Sequence, residues 1–228
     1  MCGRYTLSAP DPARLRLRFP VGEEVEIRPR FNVAPGDEVL AVSADREGRP
    51  RGELLRWGLV PPWSNPDESA LKMINARAET LEERPAYREA FRRSRCLIIA
   101  DGFYEWRRQT AGPRQPFHIA RPDREPFAFA GLWTVWRDER RTLRTCTILT
   151  TAARGPVASL HDRMPVVLPP GGEGEWLSGS SREHLLELLG QSVAEHLELR
   201  PVSTAVNDAR HDEPDCLAEP GSLQSTLF

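Results

Sequence analysis

The sequence predicts an α+β fold, in which a β-rich sheet that is curved or barrel-like and mixed in strand direction is flanked by helices. Two observations lead to this prediction. Short runs with many β-branched and aromatic residues recur along the chain with turn residues between them, and helical patterns are confined to a few stretches. The length of 228 residues suits one domain or two.

Six runs are predicted to be strands, because each is short, apolar and bounded by turn residues. They are EVLAVSA (38–44), ELLRWGLV (53–60), CLIIADGFYEW (96–106), PFAFAGLWTVW (126–136), TLRTCTILTT (142–151) and MPVVL (164–168).

Three stretches are predicted to be helices. DPARLRLRF (11–19) offers Asp11 as a cap, with a proline in the first turn. ERPAYREAFRRS (83–94) has a proline near its start, and SREHLLELLG (181–190) has a serine cap and a terminal glycine. The segment after Asn207 is polar and rich in turn residues, and we expect a polar tail there without chemistry of its own.

Composition excludes several classes of protein. Hydrophobic residues make up 39% and charged residues 28%, as in globular proteins. No apolar run could span a membrane and the N-terminus lacks a secretory pattern, so we expect a cytoplasmic protein that does not bind membranes. The net charge of −2 excludes a uniformly basic surface but allows a local basic groove. Lys72 is the single lysine, so arginine supplies the remaining cations.

The four cysteines suggest neither a disulfide framework nor a metal site. Cys2, Cys96, Cys146 and Cys216 lie far apart and form no CxxC pair. Cys96 and Cys146 stand in apolar runs and are expected in the core. We therefore predict no metal and no cofactor.

Cys2, in the opening MCGRYTL, has a distinctive potential reactivity. If Met1 is removed, this residue carries both a primary amine and a thiol, and the two together can close on an aldehyde to form a thiazolidine ring. The α-amine titrates near ~8 and an unperturbed thiol near about 8.5. At neutral pH a larger fraction of each group is therefore deprotonated and nucleophilic than of a lysine amine. The alternative is that Cys2 is a small apolar residue at the start of a strand.

Four further residues could act with Cys2. Asn75 and Arg77, in MINARAET (73–80), would face the same side of an extended segment, as an amide and a guanidinium aimed at one phosphate or sugar. Glu105 lies between two aromatic residues, where desolvation would raise its pKa and suit it to proton transfer. His161 stands at the entrance to a strand and can act as acid or base near neutral pH. Each also has a structural alternative: a surface salt bridge for Arg77, an outward-facing carboxylate for Glu105 and a structural role for His161.

Seven motifs in series resemble the SOS-response-associated peptidase (SRAP) family, whose members sense abasic sites in single-stranded DNA. They extend from residue 2 to about 208, so the resemblance implies one domain over 2–208 with the SRAP fold, followed by a polar tail at 209–228. The motifs are MCGRYTL, FNVAPGDEV, RWGLVPPW, INARAET, ADGFYEWR, LHDRMPVVL and PVSTAVND.

The resemblance implies a role for each matching position. Cys2 would be the nucleophile that forms a thiazolidine crosslink with the opened abasic sugar, Glu105 would manage the proton of its amine, and His161 would protonate or deprotonate the sugar oxygen. Asn75 would hold the sugar or the Cys2 backbone. Arg4, Arg77 and Arg163 would bind flanking phosphates. Trp63 would disrupt stacking beside the lesion, although it could also be a core or lid aromatic. The FNVAPGDEV motif contains Asn32, for which we expect a structural Asx turn.

The resemblance also implies an enzyme of lyase- or peptidase-like class, in which Met1 is removed by an aminopeptidase or by self-processing. The partner would be single-stranded DNA containing abasic sites, with replication-fork junctions as a further candidate, and the protein would act as a monomer associated with the nucleoid.

Two other classes of function remain open. The chain could be an N-terminal-nucleophile cysteine amidohydrolase or peptidase, because glutamine amidotransferases also begin Met-Cys-Gly. The downstream arginine and asparagine-glycine pattern expected of those enzymes is not evident. A non-covalent reader of single-stranded or modified DNA would need no α-amine, so its function would survive replacement of Cys2.

Overall fold

The fold is α+β, as predicted, with a closed barrel, a second sheet and helices around them. A computed structural model describes residues 2–45, 47–69, 71–107, 114–178 and 181–221. Within these ranges the strands are β1 (Tyr5–Leu7), β2 (Arg30–Val33), β3 (Glu38–Ala44), β4 (Pro50–Trp57), β5 (Asn75–Arg77), β6 (Arg95–Ala100), β7 (Gly102–Arg107), β8 (Gln115–Ala120), β9 (Phe127–Arg137), β10 (Thr142–Ala152), β11 (Arg163–Pro165) and β12 (Glu198–Pro201). The helices are α1 (Pro12–Arg18), α2 (Pro66–Ser69), α3 (Pro85–Arg93), α4 (Gly172–Leu177) and α5 (Arg182–Gly190).

Five strands form the barrel. β4, β3, β6, β9 and β10 pair antiparallel in that order, and β10 returns to pair in parallel with β4 through Thr145 opposite Arg56 and Cys146 opposite Trp57. Because every one of these strands has two neighbours in the ring, the barrel has no open edge along them. The second half of β10 also pairs with β5 and β11, which brings the Asn75 strand to one end of the barrel.

The second sheet has the order β12-β8-β7-β1-β2. The run predicted as one strand at 96–106 divides between the two sheets, and the chain turns at Asp101. The buried Asp101 carboxylate accepts hydrogen bonds from the Thr6 hydroxyl at 2.5 Å and from the backbone amide of Ser8 at 2.5 Å. Gly102 follows, and a Cβ there would lie 2.1 Å from Nε2 of His118. These contacts redirect the chain, so Glu105 lies on β7 of the second sheet.

Helix caps agree with the sequence analysis. The Asp11 carboxylate accepts hydrogen bonds from the amides of Ala13 and Arg14 at the start of α1, and Ser181 caps α5 through the amide of His184. α3 begins at Pro85, where the fixed φ of proline suits a first helical position. In the described residues, no helix has both the length and the apolar character needed to cross a bilayer.

The core occupies two main clusters of buried side chains, and Cys96 and Cys146 are fully buried in one of them, as expected. Residues 209–217 pack against β2. The Asp212 carboxylate there accepts hydrogen bonds from the amides of Phe31 at 2.6 Å and Asn32 at 2.7 Å. This part of the predicted tail is therefore in contact with the sheet, while the boundary at 208 stays a prediction.

Candidate active site

Cys2 lies at the end of the barrel core, fully buried, in the same cluster as Trp57 and Ile148. β1 begins three residues later and pairs with β7 and β2 in the second sheet, which anchors the N-terminal segment. The thiol donates a weak hydrogen bond to the carbonyl oxygen of Arg4 at 3.7 Å. Burial raises the pKa of Cys2 well above its ordinary value, and the nearby Glu105 carboxylate raises it further, so the thiol is protonated.

Asn75 contacts Cys2 directly. Its side-chain Nδ2 donates to the backbone carbonyl oxygen of Cys2 at 2.7 Å. The other side-chain atom, Oδ1, is buried and accepts no hydrogen bond from any residue that the structure describes. The register of β5 against β10 fixes this position, because Asn75 stands opposite Ile148. The extended conformation predicted for Asn75 and Arg77 is confirmed.

Glu105 is buried, with 3% of its surface exposed, so the outward-facing alternative is wrong. Burial raises the pKa of Glu105 above its ordinary value, and the interaction with His161 acts in the opposite direction. The electrostatic coupling of Glu105 to both Cys2 and His161 indicates that these three residues share one environment. A carboxyl group whose pKa is raised in this way is better suited to hold and release a proton than an exposed one.

His161 has two polar neighbours at the same ring nitrogen. The backbone amide of Arg163 lies 2.9 Å from Nδ1, and a carboxylate oxygen of Asp162 lies 2.7 Å from it. An amide must donate, whereas a carboxylate would need a proton on Nδ1, so both interactions cannot hold together. We assign the lone pair to Nδ1, because the Asp162 side chain is 85% exposed and can turn to solvent. The proton of the neutral ring then resides on Nε2.

A cavity of about 270 Å³ adjoins Asn75 and carries several cationic side chains. Arg77 lines it, is exposed, and makes no ion pair with the described part of the chain. The other residues of this cavity were not predicted to belong to the site. They are Lys72, Thr80, Arg84, Tyr87 and Thr150. Lys72 stands out in the sequence as the single lysine, but no sequence pattern indicates that α3 approaches β5.

The other two arginines are already engaged within the protein. Arg4 donates through one nitrogen to Oδ1 of Asn32 at 2.9 Å and to the carbonyl oxygen of Val206 at 2.8 Å. Arg163 makes a two-bond pair with Glu79, both at 2.8 Å, and its side chain is 13% exposed. The guanidinium of Arg163 also lowers the pKa of Glu79. Phosphate binding by Arg4 and Arg163 stays a prediction.

Asn32 does not make the expected local turn. Its side-chain amide donates instead to backbone carbonyls in a distant segment, those of Asp208 at 2.9 Å and His211 at 2.7 Å. Together with the Arg4 contact, this side chain ties β2 to residues 206–211. The Asx interpretation is therefore corrected to a bridge between distant segments.

Trp63 lies in the loop after β4 and 68% of its surface is exposed, so it is not a core aromatic. Trp57, by contrast, is fully buried and donates through its indole nitrogen to the carbonyl oxygen of Ile74 at 2.9 Å. The Trp63 loop is attached to the barrel, because the indole nitrogen of Trp136 donates to the carbonyl oxygen of Ser64 at 2.8 Å.

Comparisons with known proteins find similar sequences over nearly the whole chain. A family model described as SOS response associated peptidase (SRAP) matches residues 1–209. The chain is 39% identical over 223 residues to the abasic site processing protein YoqW of Bacillus subtilis, covering 95% of this chain and 99% of that one. It is 29% identical over 220 residues to the abasic site processing protein YedK of Escherichia coli, covering 92% and 96%.

Solved structures share the fold. A protein from Bacteroides thetaiotaomicron superposes with a TM-score of 0.81 at 22% identity, covering 96% of this chain and 99% of that chain. A phage-related protein from Bordetella bronchiseptica superposes with a TM-score of 0.72 at 28% identity, covering 89% and 95%.

Proposed function

The chain belongs to the SOS response associated peptidase (SRAP) family, as its motifs predicted, and on that basis we propose that it senses abasic sites in single-stranded DNA and crosslinks to them through Cys2. Relatives over nearly the whole chain are named abasic site processing proteins, which supports abasic DNA as the partner. The crosslink is a thiazolidine, formed after Met1 is removed, and it shields the lesion from strand breakage.

One observation carries the proposal: Asn75 holds the backbone carbonyl of Cys2 at 2.7 Å, in an environment shared with Glu105 and His161. A residue whose backbone is fixed in this way presents its α-nitrogen in a defined direction. Fixing a nucleophile lowers the entropic cost of reaching the transition state.

The proposed chemistry balances without any external reagent. Removal of Met1 converts the amide nitrogen of Cys2 into a primary amine, which adds to the aldehyde carbon of the opened deoxyribose. The aldehyde oxygen leaves as water and an imine remains. The thiol then adds across the imine, so that sulfur bonds to carbon, the thiol proton passes to nitrogen, and a five-membered ring closes.

Glu105 and His161 move protons in this scheme. Glu105, with its raised pKa, accepts a proton from the ammonium form of Cys2 and returns one to the departing oxygen. His161 exchanges a proton with the ring oxygen of the sugar, which opens the ring and, in reverse, assists release of the crosslink. A neutral imidazole with its proton on Nε2 can donate at that atom.

An abasic site offers no base for readout, so recognition depends on phosphates, sugar and stacking. We propose that Arg77 binds a flanking phosphate in the cavity beside Asn75, that Arg4 and Arg163 bind others, and that exposed Trp63 stacks beside the lesion. The protein would act as a monomer on the nucleoid, and a replication-fork junction is a further candidate substrate.

The experiment that tests the proposal is a denaturing gel run without borohydride. Protein whose loss of Met1 is confirmed by mass spectrometry is mixed with single-stranded oligonucleotides carrying one abasic site or none. We expect a heat-stable shifted band only with the abasic strand, abolished by Cys2→Ala and retained by the matched core variant Cys146→Ala. An adduct that survives Cys2→Ala would overturn the proposal.

The same preparation distinguishes the alternatives. A non-covalent reader would bind the abasic strand equally with and without Cys2 and would form no adduct. An amidohydrolase would release ammonia from an amide substrate in a Cys2-dependent manner. Translation in a purified system lacking aminopeptidase, followed by mass spectrometry, reports whether Met1 is removed by the protein itself.

A further inference from the structure

Three side chains with metal-ligating atoms meet in the segment that follows the last strand. In the described part of the chain, His211, Asp215 and Cys216 place one ligand atom each within 4.8 Å of the others. His211 Nε2 lies 2.6 Å from an Asp215 carboxylate oxygen, and the Cys216 thiol donates to the carbonyl oxygen of His211 at 3.4 Å. None of these residues takes part in the proposed DNA chemistry.

The donor set suits a particular class of cation. A thiolate, an imidazole and a carboxylate together favour borderline metals such as Zn²⁺, whereas Mg²⁺ and Ca²⁺ take oxygen ligands. The site is also accessible from one side: the His211 and Asp215 side chains are 36% and 33% exposed, while Cys216 is fully buried beneath them. An ion could therefore enter over the histidine and carboxylate and meet the thiol below.

The geometry needs only a small adjustment. Zinc binds nitrogen and oxygen at about 2.0–2.2 Å and sulfur at about 2.3 Å, which places tetrahedral ligand atoms roughly 3.5 Å apart. The His211 to Asp215 separation of 2.6 Å must then increase by about 1 Å. Both side chains are partly exposed and can make that shift, and Asp215 belongs to a short 3-10 turn at Pro214–Leu217.

We propose that His211, Asp215 and Cys216 form a three-residue site for a Zn²⁺-class cation, with water as the fourth ligand. The thiol proton leaves to solvent as sulfur binds the metal. The proton of His211 moves from Nε2 to Nδ1, so that Nε2 binds as neutral imidazole. No oxidation or reduction takes place.

Metal binding would stiffen the segment that supports the N-terminal region. The His211 carbonyl accepts a hydrogen bond from Asn32, and the adjacent Asp212 carboxylate bonds the amides of Phe31 and Asn32. Asn32 in turn holds Arg4, two residues from Cys2. The site is thus structural, distinct from the DNA site, and independent of the proposed function.

The test is a titration of untagged, full-length Cys2→Ala protein with Co²⁺, a spectroscopic substitute for Zn²⁺. The Cys2→Ala background removes the N-terminal amine and thiol pair, which would itself bind metal. We expect a sulfur-to-cobalt charge-transfer band that saturates at one equivalent, disappears on addition of Zn²⁺ and is abolished by Cys216→Ser. Zn²⁺ should also raise the melting temperature of the parent and not of that variant.

His211→Gln provides a second test in case Cys216→Ser fails to fold, because His211 is partly exposed. We expect at least a tenfold weaker affinity for Co²⁺ in His211→Gln and in Asp215→Asn. The matched control is His184→Gln, since His184 also pairs with a carboxylate at 2.6 Å but has no cysteine beside it in the structure as described. Absence of the band in the parent, or unchanged affinity in His211→Gln, would overturn the proposal.

Discussion

Asn75 and Cys2 are joined by a single hydrogen bond from the side-chain amide of Asn75 to the backbone carbonyl of Cys2, while Oδ1 of the same amide is buried with no donor among the described residues. An unsatisfied buried polar atom costs about 1–3 kcal/mol. The cost is consistent with a donor supplied during function. In the proposed reaction, that donor is the Cys2 amine or a sugar hydroxyl.

Asn75→Ala should therefore slow crosslinking without a large loss of stability. Removing the side chain loses one hydrogen bond, worth about 0.5–1.5 kcal/mol, but it also removes the unsatisfied Oδ1. We expect a crosslinking rate about tenfold lower, which corresponds to about 1.4 kcal/mol, in single-turnover gels. Asn207→Ala is the control, since Asn207 accepts a hydrogen bond from Trp106 at an exposed position. Equal rates for parent and Asn75→Ala would contradict the assignment.

Glu105→Gln should stabilise the protein at neutral pH and impair its chemistry. Burial raises the pKa of Glu105 above 4.5, so between 4.5 and that higher pKa the folded state binds more protons than the unfolded chain, and stability falls as pH rises through this window. Glutamine does not titrate. Urea unfolding should show the stability of Glu105→Gln gaining on that of the parent as the pH rises above 4.5, while crosslinking slows.

Glu79→Gln is the control with the opposite sign. Hydrogen bonds from Arg163 lower the pKa of Glu79, so its stabilisation is present above 4.5 and is lost as pH falls through the lower folded pKa. We expect a loss of about 0.2–1 kcal/mol at neutral pH, because the pair is partly exposed, and no difference in acid. If the stability difference from the parent depended on pH in the same way for both variants, burial of Glu105 would not be its cause.

Trp63→Ala should weaken DNA binding and leave stability unchanged. Exposed substitutions are usually within about 0.5 kcal/mol, whereas stacking on a base is worth about 1–3 kcal/mol. We expect roughly 5- to 150-fold weaker binding to an abasic single strand by fluorescence anisotropy. Leu17→Ala, at a position 88% exposed on α1, is the control and should bind as the parent does. An equal loss of affinity in both variants would mean that loss of exposed apolar surface, and not loss of stacking by Trp63, weakens binding.

Arg77→Gln should reduce the salt dependence of binding. Each phosphate contact to a single strand contributes about −0.7 to the slope of log K against log salt. Arg77 makes no ion pair with described residues, so its full charge is available, whereas Arg163 is paired with Glu79. We expect a slope change of about 0.7 for Arg77→Gln and less for Arg163→Gln. Equal changes would mean that Arg163 exchanges Glu79 for a phosphate.

The longer strands could be predicted because their apolar runs carry the signal within themselves. The run at 38–44 has the bounds of β3, and α1 begins beside Asp11 as its cap indicates. β1, β5 and β11 have three residues each, and pairing with distant strands defines them more than composition does.

The site was predicted less completely because its contacts are remote in sequence. Residue chemistry singled out Cys2 and Asn75, and the resemblance implied that Asn75 holds the sugar or the Cys2 backbone; the two lie in contact although 73 residues apart. The pairing of Arg163 with Glu79 spans 84 residues, and the contact between Arg4 and Val206 spans 202. No local pattern encodes such distances, which is also why a local turn was wrongly expected at Asn32.

Closure of the barrel has a consequence for when Cys2 becomes enclosed during synthesis. Asn75 pairs with β10 and the ring closes only when Cys146 meets Trp57, so the ribosome must first translate to Ala152. At about 5–20 residues per second, this leaves the nascent N-terminus roughly 8 to 30 s without its final surroundings. An aminopeptidase that removes the methionine would therefore act during translation, before the completed fold buries the residue that will react.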